Sequence, residues 1–153
     1  MASMVDYVGA FPRVEVVAGT VASDYTVSNT TTFSDVTGLC VPLKANSMYQ
    51  VHYLFTNRAT AAADMKLRFT SPSGAVHRFS DTSQPTGSGN IFEGVNNETM
   101  NGSDTDDRIL FGVIQVVTSS TAGDLQVQIA QVAAQVSDCT MRAGSCLVAV
   151  RVS

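Results

Sequence analysis

Tryptophan is absent, lysine occurs only at Lys44 and Lys66, and histidine only at His52 and His77. Charged residues make up 14% of the 153-residue chain, against roughly 25% in an average domain. Thirteen acidic and nine basic residues leave a net charge of −4. Ligands with a phosphate backbone are held by clustered Lys and Arg, so the composition predicts neither nucleic acid nor anionic membrane as a partner. No run approaches the roughly 20 apolar residues that span a bilayer. The opening MASMVDYVGAF lacks both a basic start and a long apolar stretch, so neither a membrane helix nor a secretory signal is expected. Cysteine is sparse and odd in number, at Cys40, Cys139 and Cys146, unlike the dense, even set of a disulfide-stapled secreted scaffold.

What is present suits one domain with a sizeable core: 44% of the residues are hydrophobic, in a chain of ordinary domain length. The hydrophobic period is two. MYQVHYLF places Tyr49, Val51, Tyr53 and Phe55 on one face and Gln50 and His52 on the other. ADMKLRFT turns Met65, Leu67 and Phe69 inward and Lys66 and Arg68 outward, and SPSG follows as a turn. GDLQVQIAQ sets Leu125, Val127 and Ile129 against an amide face of Gln126, Gln128 and the terminal Gln131. PRVEVVAG, DYTVSN, DVTGLCVPL and AVHRF add shorter candidates. Helix is nearly excluded, because TAAAD and AQVAAQV are too short to be stable alone. The expectation is an all-β, antiparallel β-sandwich of jelly-roll type with eight to ten strands.

Three segments depart from simple alternation. RILFGVIQVVT is apolar on both parities, as in a strand covered on two sides or facing another subunit; Leu110, Ile114 and Val116 are its expected interface stripe. SDCTMR and CLVAVRV read as a terminal hairpin closed at Ala143 and Gly144. That register sets Cys139 diagonal to Cys146 at roughly 7–8 Å, too far for an unstrained bridge, so free thiols are expected. Residues 80–107 hold Gly87, Gly89, Gly94 and Gly102 with few apolar side chains and read as a long loop insert of functional or interface character. The chain thus divides into residues 1–20, an arm or edge strand, and residues 21–153, the sandwich. Tyr7, Val8, Phe11 and Val14 give the arm an apolar contact surface.

Catalytic chemistry finds little support. No G-x-S-x-G elbow, phosphate-binding glycine loop or H-E-x-x-H pair occurs, and a structural or surface role is the simpler reading of His52 and His77. The segment NNETMNGSDTDDR offers hard oxygen ligands at Asp104, Asp106 and Asp107, a weak calcium candidate without the spacing of an EF-hand. No catalytic residue, cofactor or definite metal site is expected. Tyr25 is the one tyrosine outside apolar-patterned surroundings, and so the one candidate platform for stacking a sugar.

Four phrases together, TTTFSDVTGLCVPLKANSMYQV, MKLRFTSPSGAV, GVIQVVTSSTAGDLQVQIAQ and RAGSCLVAVRV, resemble a β-sandwich module of tailed-bacteriophage virion proteins. The resemblance spans most of residues 25–152, and the 80–107 insert departs from it. It implies a non-enzymatic virion structural protein, most specifically a head decoration or minor capsid protein that binds the major capsid protein or other virion proteins. It further implies a homotrimer assembled in the host bacterial cytoplasm. The alternative within the same resemblance is a tail or fibre module that binds host-surface carbohydrate.

Overall fold

The computed structural model describes residues 14–81, 91–93, 98–100 and 106–153. Among these every regular element is a strand: β1 (Val16–Thr20), β2 (Tyr25–Val27), β3 (Ser34–Leu43), β4 (Met48–Ala59), β5 (Met65–Thr70), β6 (Val76–Asp81), β7 (Ile91–Glu93), β8 (Glu98–Met100), β9 (Arg108–Val117), β10 (Gly123–Gln131), β11 (Cys139–Met141) and β12 (Cys146–Arg151). The large sheet runs β1-β12-β4-β9-β6-β7, with β11 joining β2 to β4, and the small sheet runs β3-β10-β5-β8. Six antiparallel pairings nest inside one another along the chain: β1 with β12, β2 with β11, β3 with β10, β4 with β9, β5 with β8, and β6 with β7. A long hairpin folded over on itself gives this order. It is the strand plan of a jelly roll, as expected from the alternation.

The alternating residues meet between the sheets. Tyr49, Val51, Phe55, Met65, Leu67, Leu125, Val127 and Ile129 are at most 1% exposed, and Tyr53 and Phe69 are also buried. The rings of Tyr53, Phe55 and Phe69 form a cluster at its centre, with Tyr53 and Phe55 stacked at 5.0 Å. Burial of this kind is worth about 25 cal/mol per Å² of apolar surface, and it is supplied by both sheets. Tyr49 keeps its polar tip satisfied, its hydroxyl accepting from the Lys44 N–H at 2.9 Å.

The structure corrects several expectations. Gln131 is fully buried rather than part of the amide face. Its Oε1 accepts from the N–H groups of Thr30 and Gln135, and its Nε2 donates to the Ser137 carbonyl at 2.6 Å, so the side chain stands in for missing sheet partners. SDCTMR and CLVAVRV do not form a hairpin. β11 and β12 lie end to end along β4, opposite Asn57–Ala59 and Tyr49–Leu54 respectively. Residues 142–145 make a jog between them, anchored where the Arg142 N–H donates to the Thr56 carbonyl and where the Ser145 hydroxyl accepts the Thr56 N–H. β1 and β2 are interrupted opposite the jog, and Val21 exchanges backbone hydrogen bonds with Gly144 and Ser145 there. The 80–107 stretch is not all loop, since β6 continues to Asp81 and β7 and β8 pair with β6 and β5. These pieces are too short to show a period, and backbone pairing defines them.

Residues 16–20 belong to the large sheet as its edge strand β1. Tyr7, Val8 and Phe11 lie outside the described residues. The free thiols of Cys40, Cys139 and Cys146 agree with the expectation, although the hairpin geometry used to derive it is absent.

Candidate assembly surface

The two outward sheet faces differ in chemistry. On the small sheet, neighbouring strands set Asp35, Gln128 and Arg68 in one cross-strand row. The Gln128 amide donates to Asp35 and accepts from the Arg68 guanidinium. Phe33 is capped by the Arg68 guanidinium at 4.2 Å and the Lys66 ammonium at 5.0 Å from its ring centre, a favourable placement of cations over a π face. Polar groups on this face therefore satisfy one another and cover the aromatic ring.

The large sheet faces outward with hydrocarbon. Residues directly opposite in antiparallel strands share a face, so the register gives its rows: Thr20, Cys146, Leu54 and Phe111; Ala18, Val148, His52 and Val113; Val16, Val150, Gln50 and Gln115. Ile109 lies opposite Thr56, and Val117 lies between Met48 and Val76. Ile109, Phe111, Val16 and Leu54 are 63%, 53%, 55% and 47% exposed. An apolar area of this breadth on a protein surface marks an interaction site.

This placement reverses the expected stripe on β9. Leu110, Ile114 and Val116 are buried, because their partners across β4 are Phe55, Val51 and Tyr49, all core residues. The outward residues are the other parity, Ile109, Phe111, Val113 and Val117. Gln115 was the sequence signal for it: a lone amide in an apolar strand belongs with the wetter side, opposite Gln50. Val14, named for the arm, is exposed at 62% just before the β1 edge.

A chain of alternating charges borders the face at the jog. Asp24 accepts from the Arg142 guanidinium at 2.7 Å and from the Ala143 N–H at 2.8 Å. Arg142 reaches Asp107 at 3.0 Å, and Asp107 also pairs with Arg58 at 2.8 Å. The Ala143 N–H and then Arg142 hold the Asp24 carboxyl below the usual carboxylate range. At the opposite end Glu15 is lowered chiefly by its hydrogen bond to Lys44, with Arg151 also close. Sequence spacing could not reveal either network, since their members come together only through sheet pairing.

The remaining candidates separate. His52 is outward on β4, whereas His77 on β6 is 2% exposed on the core side of the same sheet, so the two cannot share a site. Burial pushes the His77 pKa down. Of the calcium candidates, Asp107 is held by two arginines, Asp106 is exposed, and Asp104 lies outside the described residues. Tyr25 is half-buried and packs against the core, leaving its edge on a shallow cleft of about 240 Å³ with Thr20, Ser23, Asp24 and Thr37. Cys139 is buried and its thiol is pushed up to about 11, foremost by desolvation.

No protein-family model matches the chain, and neither does any curated protein sequence. Solved structures match it over nearly its whole length. A chain of the T13 particle of infectious bursal disease virus shares 12% identity over 91% of this chain and 31% of that chain, with a TM-score of 0.58. The D431N variant of VP2 from the same virus, in T=1 particles, gives 11% identity, 90% and 32% coverage, and a TM-score of 0.55. The VP2 subviral particle gives 10% identity, 91% and 32% coverage, and a TM-score of 0.52. The fold is a jelly-roll β-sandwich like the one in these viral-particle chains. The chain spans about a third of the length of the solved chains it matches, and at these identities the likeness is one of fold.

Proposed function

We propose that this chain is a non-enzymatic structural component of a virus particle, in its finer form a head decoration or minor capsid protein of a tailed bacteriophage that clamps neighbouring shell subunits. The observation that carries the proposal is a jelly roll whose large sheet turns an apolar, weakly charged face outward. Interface cores are depleted in charge and in Lys, and this chain has only Lys44 and Lys66. The likeness to chains of infectious bursal disease virus particles supports a particle-building fold. The phage setting is supported by the four sequence phrases of residues 25–152.

In this reading the partners are the major capsid protein or other virion proteins, the protein acts as a homo-oligomer, and a trimer suits the three-fold positions of an icosahedral shell. The N-terminal segment with Tyr7, Val8, Phe11 and Val14 contributes to attachment. Several copies of a weak contact then give avidity without one strong site. Locating the protein on purified particles by electron microscopy tests the reading. Density on the head is expected; density only at the tail would overturn the decoration role in favour of a tail or fibre component.

A further inference from the structure

We infer that the outer face of the large sheet is a two-fold contact surface between two copies of this chain. The inference rests on reading this face as an assembly surface and names what covers it. Three observations point to a second copy. First, size: at about 4.8 Å between strands and about 3.3 Å per residue, the face from β1 to β6 and from Ile109 to Val117 measures roughly 20 by 26 Å. Two such faces together cover about 1,000 Å², the lower bound for a specific protein contact.

Second, charge: across a two-fold axis a surface meets itself, so any net charge on it repels its own copy. Across β1, β12, β4 and β9 the three rows contain no carboxylate, lysine or arginine, and β6 extends the third row by Arg78, opposite Gln115. Arg78 stands on β6, the last strand of the measured face, and donates to the Gln115 amide oxygen at 3.4 Å, while Arg58 lies beyond the three rows and is paired with Asp107. Third, polar chemistry: the two amides of the third row, Gln50 on β4 and Gln115 on β9, each carry donors and acceptors. Such groups can pair with copies of themselves when the face closes, as an aspartate or lysine there could not. Two sheets stacked about 10 Å apart at an aligned angle provide the geometry, which β-sandwiches use internally.

Sedimentation velocity on the full chain at micromolar concentration tests the contact. The wild type is expected as an even-numbered species, a dimer, or a hexamer if a three-fold contact also forms. Phe111→Glu should halve that mass while retaining the wild-type far-ultraviolet spectrum, and Phe111→Leu should leave it unchanged. A second readout does not depend on any variant. Cys146 lies on the face and Cys40 on the other sheet, so thiol labelling of Cys146 alone should accelerate when the protein is diluted to monomer. A wild-type monomer, a trimer that does not pair into a hexamer, or a Phe111→Glu protein of unchanged mass, would overturn the inference. So would a monomer whose Cys146 stays protected at every concentration, since another segment would then cover the face. A monomer that still joins particles refutes this contact and leaves the particle role standing; an even-numbered oligomer absent from particles does the reverse.

Discussion

Single residues carry opposite duties according to which side of a strand they occupy. Leu67 and Val127 are at most 1% exposed, and a carboxylate at either site would be buried without a partner at a cost of several kcal/mol, against a total stability of about 5–15. Leu67→Asp and Val127→Asp are therefore expected to be unfolded by circular dichroism, whereas Phe111→Glu on the outer face should stay folded. His77 gives a pH dependence. Its folded pKa lies below the unfolded value of about 6.5, so in that window the unfolded chain binds more protons and stability rises with pH. The contribution is full above about pH 6.5 and is lost as pH falls through the folded value. The urea midpoint should accordingly be lower at pH 5 than at pH 7, and His77→Gln should reduce that difference. The core was legible at this scale because period-two alternation is a direct image of burial. Gln131 was not, because its burial depends on backbone groups at Thr30, Gln135 and Ser137 that only the folded chain brings within reach.

Elements are placed by pairing, which sequence expresses less directly than it expresses periodicity. The long strands β4, β5 and β10 could be read from their pattern, while the direction of β9 required knowing that Tyr49, Val51 and Phe55 lie opposite Val116, Ile114 and Leu110. The two C-terminal strands resembled a hairpin because a glycine separates them, yet Gly144, at φ +86°, shapes a jog within a line of two strands along β4. Where the sheets approach at β1 and β3, Gly38 is at φ +91° and a Cβ there would lie 2.1 Å from the Thr20 carbonyl oxygen. Both strain and overlap oppose any side chain, so Gly38→Ala should lower stability by about 1–3 kcal/mol, measured as a shift in the denaturant midpoint. Ser145 is buried and bonds both backbone groups of Thr56 across the jog; Ser145→Ala should cost about 1–2 kcal/mol by the same measurement.

At the scale of the whole molecule, the asymmetry of the two outer faces distinguishes this jelly roll from a sandwich solvated equally on both sides. The composition foreshadowed it: few charges, and very few lysines, leave one broad face without the groups that keep a surface monomeric. Which face that would be was not legible, since β9 is apolar on both parities. The N-terminal segment adds a separable prediction. Removing residues 1–11 should leave the jelly roll folded, because β1 begins at Val16, and should weaken attachment to particles; unchanged binding would shift attachment to the sandwich itself. The most direct measurement of the central claim is a cryo-electron microscopy reconstruction of the virus particles proposed to carry this protein. The account predicts jelly-roll density on the head, with the large-sheet face bearing Leu54, Phe111 and Val148 covered by a neighbouring subunit. Particles without this density, or density on the head with that face open to solvent, would contradict it.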